Sequence, residues 1–124
     1  MKIRAVRNIA ATFLFFGSAG AAFADCFTRG ANWYISQGGN YAFTDTISNG
    51  TRCRHPSVAG SKNTFTSVEV VSPPKNGTFD IHGLQGFYTP KKDFKGTDRY
   101  SIKVCGTDPG GAGCITATYD VIVQ

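Results

Sequence analysis

Apolar and polar residues alternate with a period of two over the last third of this chain. In 97–105, Tyr100, Ile102 and Val104 alternate with Arg99, Ser101 and Lys103; in 114–123, Ile115, Ala117, Tyr119, Val121 and Val123 alternate with Thr116, Thr118 and Asp120. Successive side chains of a strand point to opposite faces, so each run offers one face to a core and one to water. Thr64–Ser72 repeats the pattern with Val68 and Val70 opposite Glu69, and 78–81 with Phe79 and Ile81 opposite Thr78 and Asp80. Asn40–Ile47 predicts another strand, with Tyr41, Phe43 and Asp45 on one face. Tyr34 and Ile35 predict the start of an edge strand, and Phe87-Tyr88 a short strand that Pro90 stops, since proline cannot donate to a central ladder. Residues 48–63 are turn formers and cations and predict a long loop. Roughly seven short strands at close spacing predict an all-β fold, two antiparallel sheets packed face to face.

The first 24 residues read differently. Lys2, Arg4 and Arg7 precede an apolar stretch from Ile9 to Phe16, and small residues end in Ala22-Phe23-Ala24. That is the pattern of a secretory leader with an A-x-A cleavage site, so residues 1–24 are expected to be removed and 25–124 to form one domain. The apolar part, broken by Gly17, Ser18 and Gly20, is short for a spanning helix, and no stable membrane anchor is expected after cleavage. Export places the four cysteines in an oxidising compartment, periplasmic or secreted, where they predict two disulfides. Four cysteines allow three pairings. Cys105 and Cys114 flank a glycine-rich segment that closes a hairpin, so they are expected to pair, leaving Cys26 with Cys53. Removing the leader also lowers the charge, from a net +5 to ten cations against eight acids. The remaining cations are spread among acids, which speaks against nucleic acid as a partner.

Three motifs recur in order: Pro74-Lys75-Asn76-Gly77-Thr78, then Tyr88-Thr89-Pro90, then Phe94-Lys95-Gly96-Thr97-Asp98-Arg99-Tyr100. Together they resemble the bacterial immunoglobulin-like or cadherin-like repeat, a resemblance that covers 64–123. It implies an immunoglobulin-like β-sandwich in which these residues are architectural. By that likeness Gly77 allows a tight turn, Tyr88 and Phe94 plug one end of the sandwich, and Asp98 with Tyr100 sets the entry to the penultimate strand, Tyr100 standing where a corner tyrosine would.

Candidate chemistry is sparse. Where such repeats carry acidic calcium loops, this chain has Thr51-Arg52-Cys53-Arg54-His55-Pro56, which lacks the hard oxygen ligands calcium needs. His55 and His82 are too far apart in sequence to suggest a metal site, and no metal or other cofactor is expected. Asp80 and His82 share one side of a strand, but no glycine-flanked nucleophile accompanies them, so no catalytic residue is assigned. Binding is the expected activity. Arg52, Arg54 and His55 form one basic cluster in a loop, and Lys91, Lys92 and Lys95 another, each suited to an acidic partner such as a polyanionic glycan, a lipid headgroup or an acidic protein surface, with a protein or glycan in the envelope or outside the cell expected. An alternative is a small inhibitor or effector that presents the 105–114 loop to a target. Nonreducing peptide mapping is expected to recover Cys105 linked to Cys114; a Cys26 to Cys105 link would overturn both the pairing and the hairpin.

Overall fold

A computed structural model describes residues 22–24, 33–55 and 62–124. The strands are β1 (Ala22–Ala24), β2 (Asn40–Ile47), β3 (Thr51–His55), β4 (Thr64–Ser72), β5 (Gly77–His82), β6 (Gln85–Pro90), β7 (Gly96–Asp108) and β8 (Gly111–Val123), with one 3-10 turn, η1 (Ile35–Gln37). They form two sheets, ordered β1-β3-β6-β5 and β2-β8-β7-β4. Seven strands from β2 onward make the sandwich expected from the alternation, and β2 runs parallel to β8 as the first strand beside the last. With β3, β6 and β5 in one sheet and β8, β7 and β4 in the other, the arrangement is that of an immunoglobulin-like sandwich. Most of the leader expectation lies outside the described residues, as does Cys26; Ala22–Ala24 pairs in parallel with β3.

The core follows the sequence pattern in the last two strands. Tyr100, Ile102 and Val104 of β7 and Ile115, Ala117, Tyr119, Val121 and Val123 of β8 are all buried, together with Phe43, Ile47, Cys53, Phe65, Val68 and Tyr88. Aromatic rings run through the middle: Tyr88 to Tyr100 at 4.9 Å between centroids, Tyr100 to Tyr119 at 5.4 Å and Tyr119 to Phe43 at 5.3 Å, all near parallel. Each ring removes a large apolar area from water, and offset stacking adds to that.

Four local expectations are corrected. Tyr34 and Ile35 do not begin a strand. Asp108 accepts hydrogen bonds from the Ser36 N–H and Oγ, both at 2.9 Å, and holds the segment as η1, whose Ile35 is fully buried at one end of the sandwich. Gly113 makes this docking possible, because a Cβ there would lie 2.2 Å from the Ile35 carbonyl oxygen. Second, 51–55 is a strand and not part of a loop: β3 pairs antiparallel with β6, Cys53 opposite Tyr88 and His55 opposite Gly86. Third, Val70 stays exposed although it shares Val68's side. The ladder between β4 and β7 shifts register at Phe65/Ser67 and again at Val70/Ser72, twisting this edge strand away from regular pairing. Fourth, the role of Gly77 is close approach. Its φ is not positive, but a Cβ would meet the Thr89 carbonyl oxygen at 2.5 Å and the Tyr88 ring at 2.7 Å.

Asp98 ties the two sheets together at the other end. Its buried carboxylate accepts the Lys75 N–H at 3.1 Å, the Asn76 N–H at 3.0 Å, the Arg99 N–H at 3.0 Å and the Tyr88 hydroxyl at 2.9 Å. Tyr88, not Tyr100, is therefore the tyrosine that locks a strand entry by its hydroxyl. Asp98→Ala is expected to leave the Tyr88 hydroxyl and loop N–H groups without their acceptor, costing about 3 kcal/mol in urea unfolding at unchanged m-value, and Tyr88→Phe about 2 kcal/mol. A double-mutant cycle should show strong coupling between the two positions; independent, additive losses would contradict the lock.

Candidate functional site

Three loops converge at the Asp98 end. The first, 48–50, joins β2 to β3; the second, 73–76, joins β4 to β5; the third, 91–95, joins β6 to β7. Backbone groups staple them: the Lys91 N–H donates to the Asn76 carbonyl at 2.9 Å, and the Phe94 N–H to the Lys91 carbonyl at 3.1 Å. Asn49 adds a side-chain clamp, its Nδ2 donating to the Phe94 carbonyl at 2.8 Å and the Lys91 carbonyl at 3.3 Å. Asp93 completes the third loop in the left-handed region, φ 64°, a conformation aspartate tolerates better than most residues. Phe94 is half-buried and packs against the core.

The side chains these loops leave in water are cationic. Lys75, Lys91, Lys92 and Lys95 are all exposed. Loops 73–76 and 91–95 thus carry four lysines against a single acid, Asp93. The carboxylates behind them are already engaged. Asp98 has its four donors, and Asp120 is gripped by Arg99 through Nε at 2.6 Å and Nη2 at 3.1 Å. That grip holds the Asp120 carboxyl below the usual carboxylate range and the Arg99 guanidinium above its own. An open cleft of about 370 Å³ lies between Lys75, Asn76, Thr97, Arg99 and Asp120. The pole is rigid, basic and solvent-facing.

The other predicted cluster is divided by the strand it belongs to. Along β3, Cys53 and His55 point into the sandwich while Arg52 and Arg54 are half-buried on the alternate side, so His55 is no surface ligand. Lys91, Lys92 and Lys95 do lie together, and Lys75, which the sequence reading left out, joins them. No protein-family model matches this chain, and no curated protein matches it. Asp80 and His82 of β5 are exposed, and among the described residues no group of three or more His, Cys, Asp or Glu stands close enough to hold a metal ion.

The expected 105–114 loop is mostly ladder. Strands β7 and β8 run on to Asp108 and Gly111, leaving Pro109 and Gly110 as a two-residue turn, and Cys105 sits directly opposite Cys114. The two are disulfide-bonded, as the spacing predicts. Asp108 is held at the tip by Ser36 and by the Gly110 N–H at 2.7 Å, and the Ser36 bonds in particular lower its pKa. Cys53 is also disulfide-bonded.

Sequence reasoning missed one feature, a polar pair inside the core. Asp45 of β2 and His55 of β3 face each other across the sandwich, Oδ2 to Nε2 at 3.8 Å, at 3% and 1% exposure. Among the described residues neither Asp45 oxygen, nor His55 Nε2, nor the Tyr100 hydroxyl has a hydrogen-bond partner, and the His55 ring lies 3.8 Å from the Tyr119 ring. Asp45 was legible on the apolar face of its strand; its partner was hidden in a segment read as loop. Burial pushes the Asp45 carboxyl up to about 6 and the His55 imidazole down to about 3. Burial also raises Tyr119, reinforced by the Asp45 charge, and Tyr100, reinforced by Tyr119 and then by Asp45.

These two shifts oppose each other. Between pH 3.8 and 6 the folded chain holds a proton on Asp45 that the unfolded chain lacks, and the unfolded chain holds one on His55 that the folded chain refuses. The pair's net contribution to the pH dependence of stability over that window is near zero. Removing either partner should expose the other. Relative to wild type, Asp45→Asn is expected to lose about 3 kcal/mol as pH falls through the window, and His55→Phe to gain about 3 kcal/mol over the same fall. Denaturant midpoints measured at several pH values check this; curves parallel to wild type would refute the opposed shifts.

Proposed function

We propose that this chain is an exported, disulfide-stabilised immunoglobulin-like module that acts by binding and not by catalysis, with the lysine-bearing pole as its contact surface. The observation that carries the reading is the stapling of loops 73–76 and 91–95 through Asn76, Lys91 and Asn49, which presents four lysines on a rigid frame. Loops held by a sandwich lose little entropy on binding, which is why recognition so often sits there. The Cys105–Cys114 bridge supports an oxidising compartment, periplasmic or extracellular. Membership of the bacterial immunoglobulin-like or cadherin-like repeats is part of the proposal. Its support is that Tyr88 and Asp98, from two of the shared motifs, form the lock between the sheets.

The second reading, an inhibitor or effector, draws on the hairpin tip, where Pro109 and Gly110 are exposed above a disulfide. A two-residue turn offers less contact area than the pole, so the pole is favoured. Capture of partners from the native envelope fraction by the full chain tests both. We expect partners to be lost with Lys91→Ala, Lys92→Ala and Lys95→Ala combined, and retained with Arg52→Ala plus Arg54→Ala and with Pro109→Ala. Loss with Pro109→Ala alone would transfer the site to the tip.

A further inference from the structure

Resting on that reading of the pole, we infer that its partner is the anionic phospholipid surface of a membrane, on which the domain docks reversibly through Lys75, Lys91, Lys92 and Lys95. Two observations separate this from recognition of a discrete sulfated or phosphorylated ligand. The pole's guanidinium is offset: Arg99 spends its Nε–Nη2 edge on Asp120 in a two-point grip, and the pair presents no net charge to an incoming anion. What remains is four ammonium groups on long, flexible stems, which act as point charges and suit a diffuse field of headgroups better than one fixed ligand. The second observation is apolar. Val71 is 56% exposed, and Pro73 two residues further on is exposed beside Lys75 at the mouth of the cleft. An apolar rim beside a basic patch is what a peripheral domain uses to add shallow contact with the acyl boundary to its charge attraction.

The remaining charges do not cancel the effect. Asp93 is the single acid of the two lysine loops, Asp98 is buried among its four donors, and Asp120 is neutralised by Arg99. Each basic residue near an anionic surface contributes about 1 kcal/mol, roughly fivefold in partitioning, so four suffice for weak, salt-sensitive attachment without an anchor.

The test is sedimentation of the full chain with vesicles of phosphatidylglycerol and phosphatidylcholine, against vesicles of phosphatidylcholine alone. We expect binding to the anionic vesicles only, abolished by high salt. The variant Lys75→Ala, Lys91→Ala, Lys92→Ala, Lys95→Ala should bind at least a hundredfold more weakly, as about 1 kcal/mol for each lysine implies. Val71→Ser should weaken binding several-fold. All five side chains are exposed, and an unchanged melting temperature verifies that the variants fold. The leader is common to every variant, so only differences between them are read. Equal binding to neutral vesicles, or anionic binding that survives loss of the four lysines, would overturn the inference. So would retention on immobilised heparin without vesicle binding, which would point to a polyanionic glycan. If vesicle binding fails while the lysine variant still loses its captured partners, only the lipid assignment falls; if the lysines matter in neither assay, the binding role of the pole falls with it.

Discussion

The Asp98 carboxylate is the constraint on which the rest of the molecule depends. It lies at the start of β7 in one sheet and takes the hydroxyl of Tyr88 from β6 in the other, so a single acceptor joins the two layers. The N–H groups of Lys75 and Asn76 fill its remaining lone pairs and fix the 73–76 loop. A buried carboxylate without donors would be severely destabilising; with four it becomes a strong, directional lock. The lysine-bearing pole is built outward from this point, because Asn76 in turn receives Lys91 and so sets the third loop.

The opposite end is secured by other means. There η1 covers the sandwich with Ile35, Trp33 stacks on Phe65 at 6.0 Å, and Asp108 holds Ser36. The Cys105–Cys114 bridge closes the β7–β8 hairpin near its tip and limits how far the ends of the two longest strands can fray. One end is thus covered and cross-linked, whereas the other is locked from within and exposes charge. That asymmetry gives the module a direction, with a bridged, covered end and a lysine-bearing end.

Between the ends lies the Asp45–His55 pair, two buried ionisable groups that face each other within the core. Two buried ionisable groups 3.8 Å apart, with no hydrogen bond to either Asp45 oxygen or to His55 Nε2 among the described residues, give up stability that two apolar residues of similar size would provide. Their opposed pKa shifts nearly cancel in mild acid, so the pair itself adds little to the pH dependence of stability there.

The class of fold and most of its core were legible in the chain, because side chains that alternate every second residue can bury one face only as strands; the expected number of strands agreed because a strand expected at Tyr34-Ile35 stood in for β3. Tyr100, Ile102, Val104 and the five inward residues of β8 needed nothing more, and neither did the Cys105–Cys114 bridge. Strand β3 was not legible, since its inward residues are Cys53 and His55 and only the ladder with β6 makes that segment extended. The exposure of Val70 and the conversion of the Ile35 segment to a 3-10 turn likewise came from neighbours, the bulged β7 ladder and Asp108. The joining of Lys75 to Lys91, Lys92 and Lys95 depended on backbone bonds between loops distant in sequence, and the facing of Asp45 and His55 on the packing of one sheet over the other. Periodicity is a property of neighbours along the chain, so it reports which face is buried; which residues meet across that face is decided by register and packing.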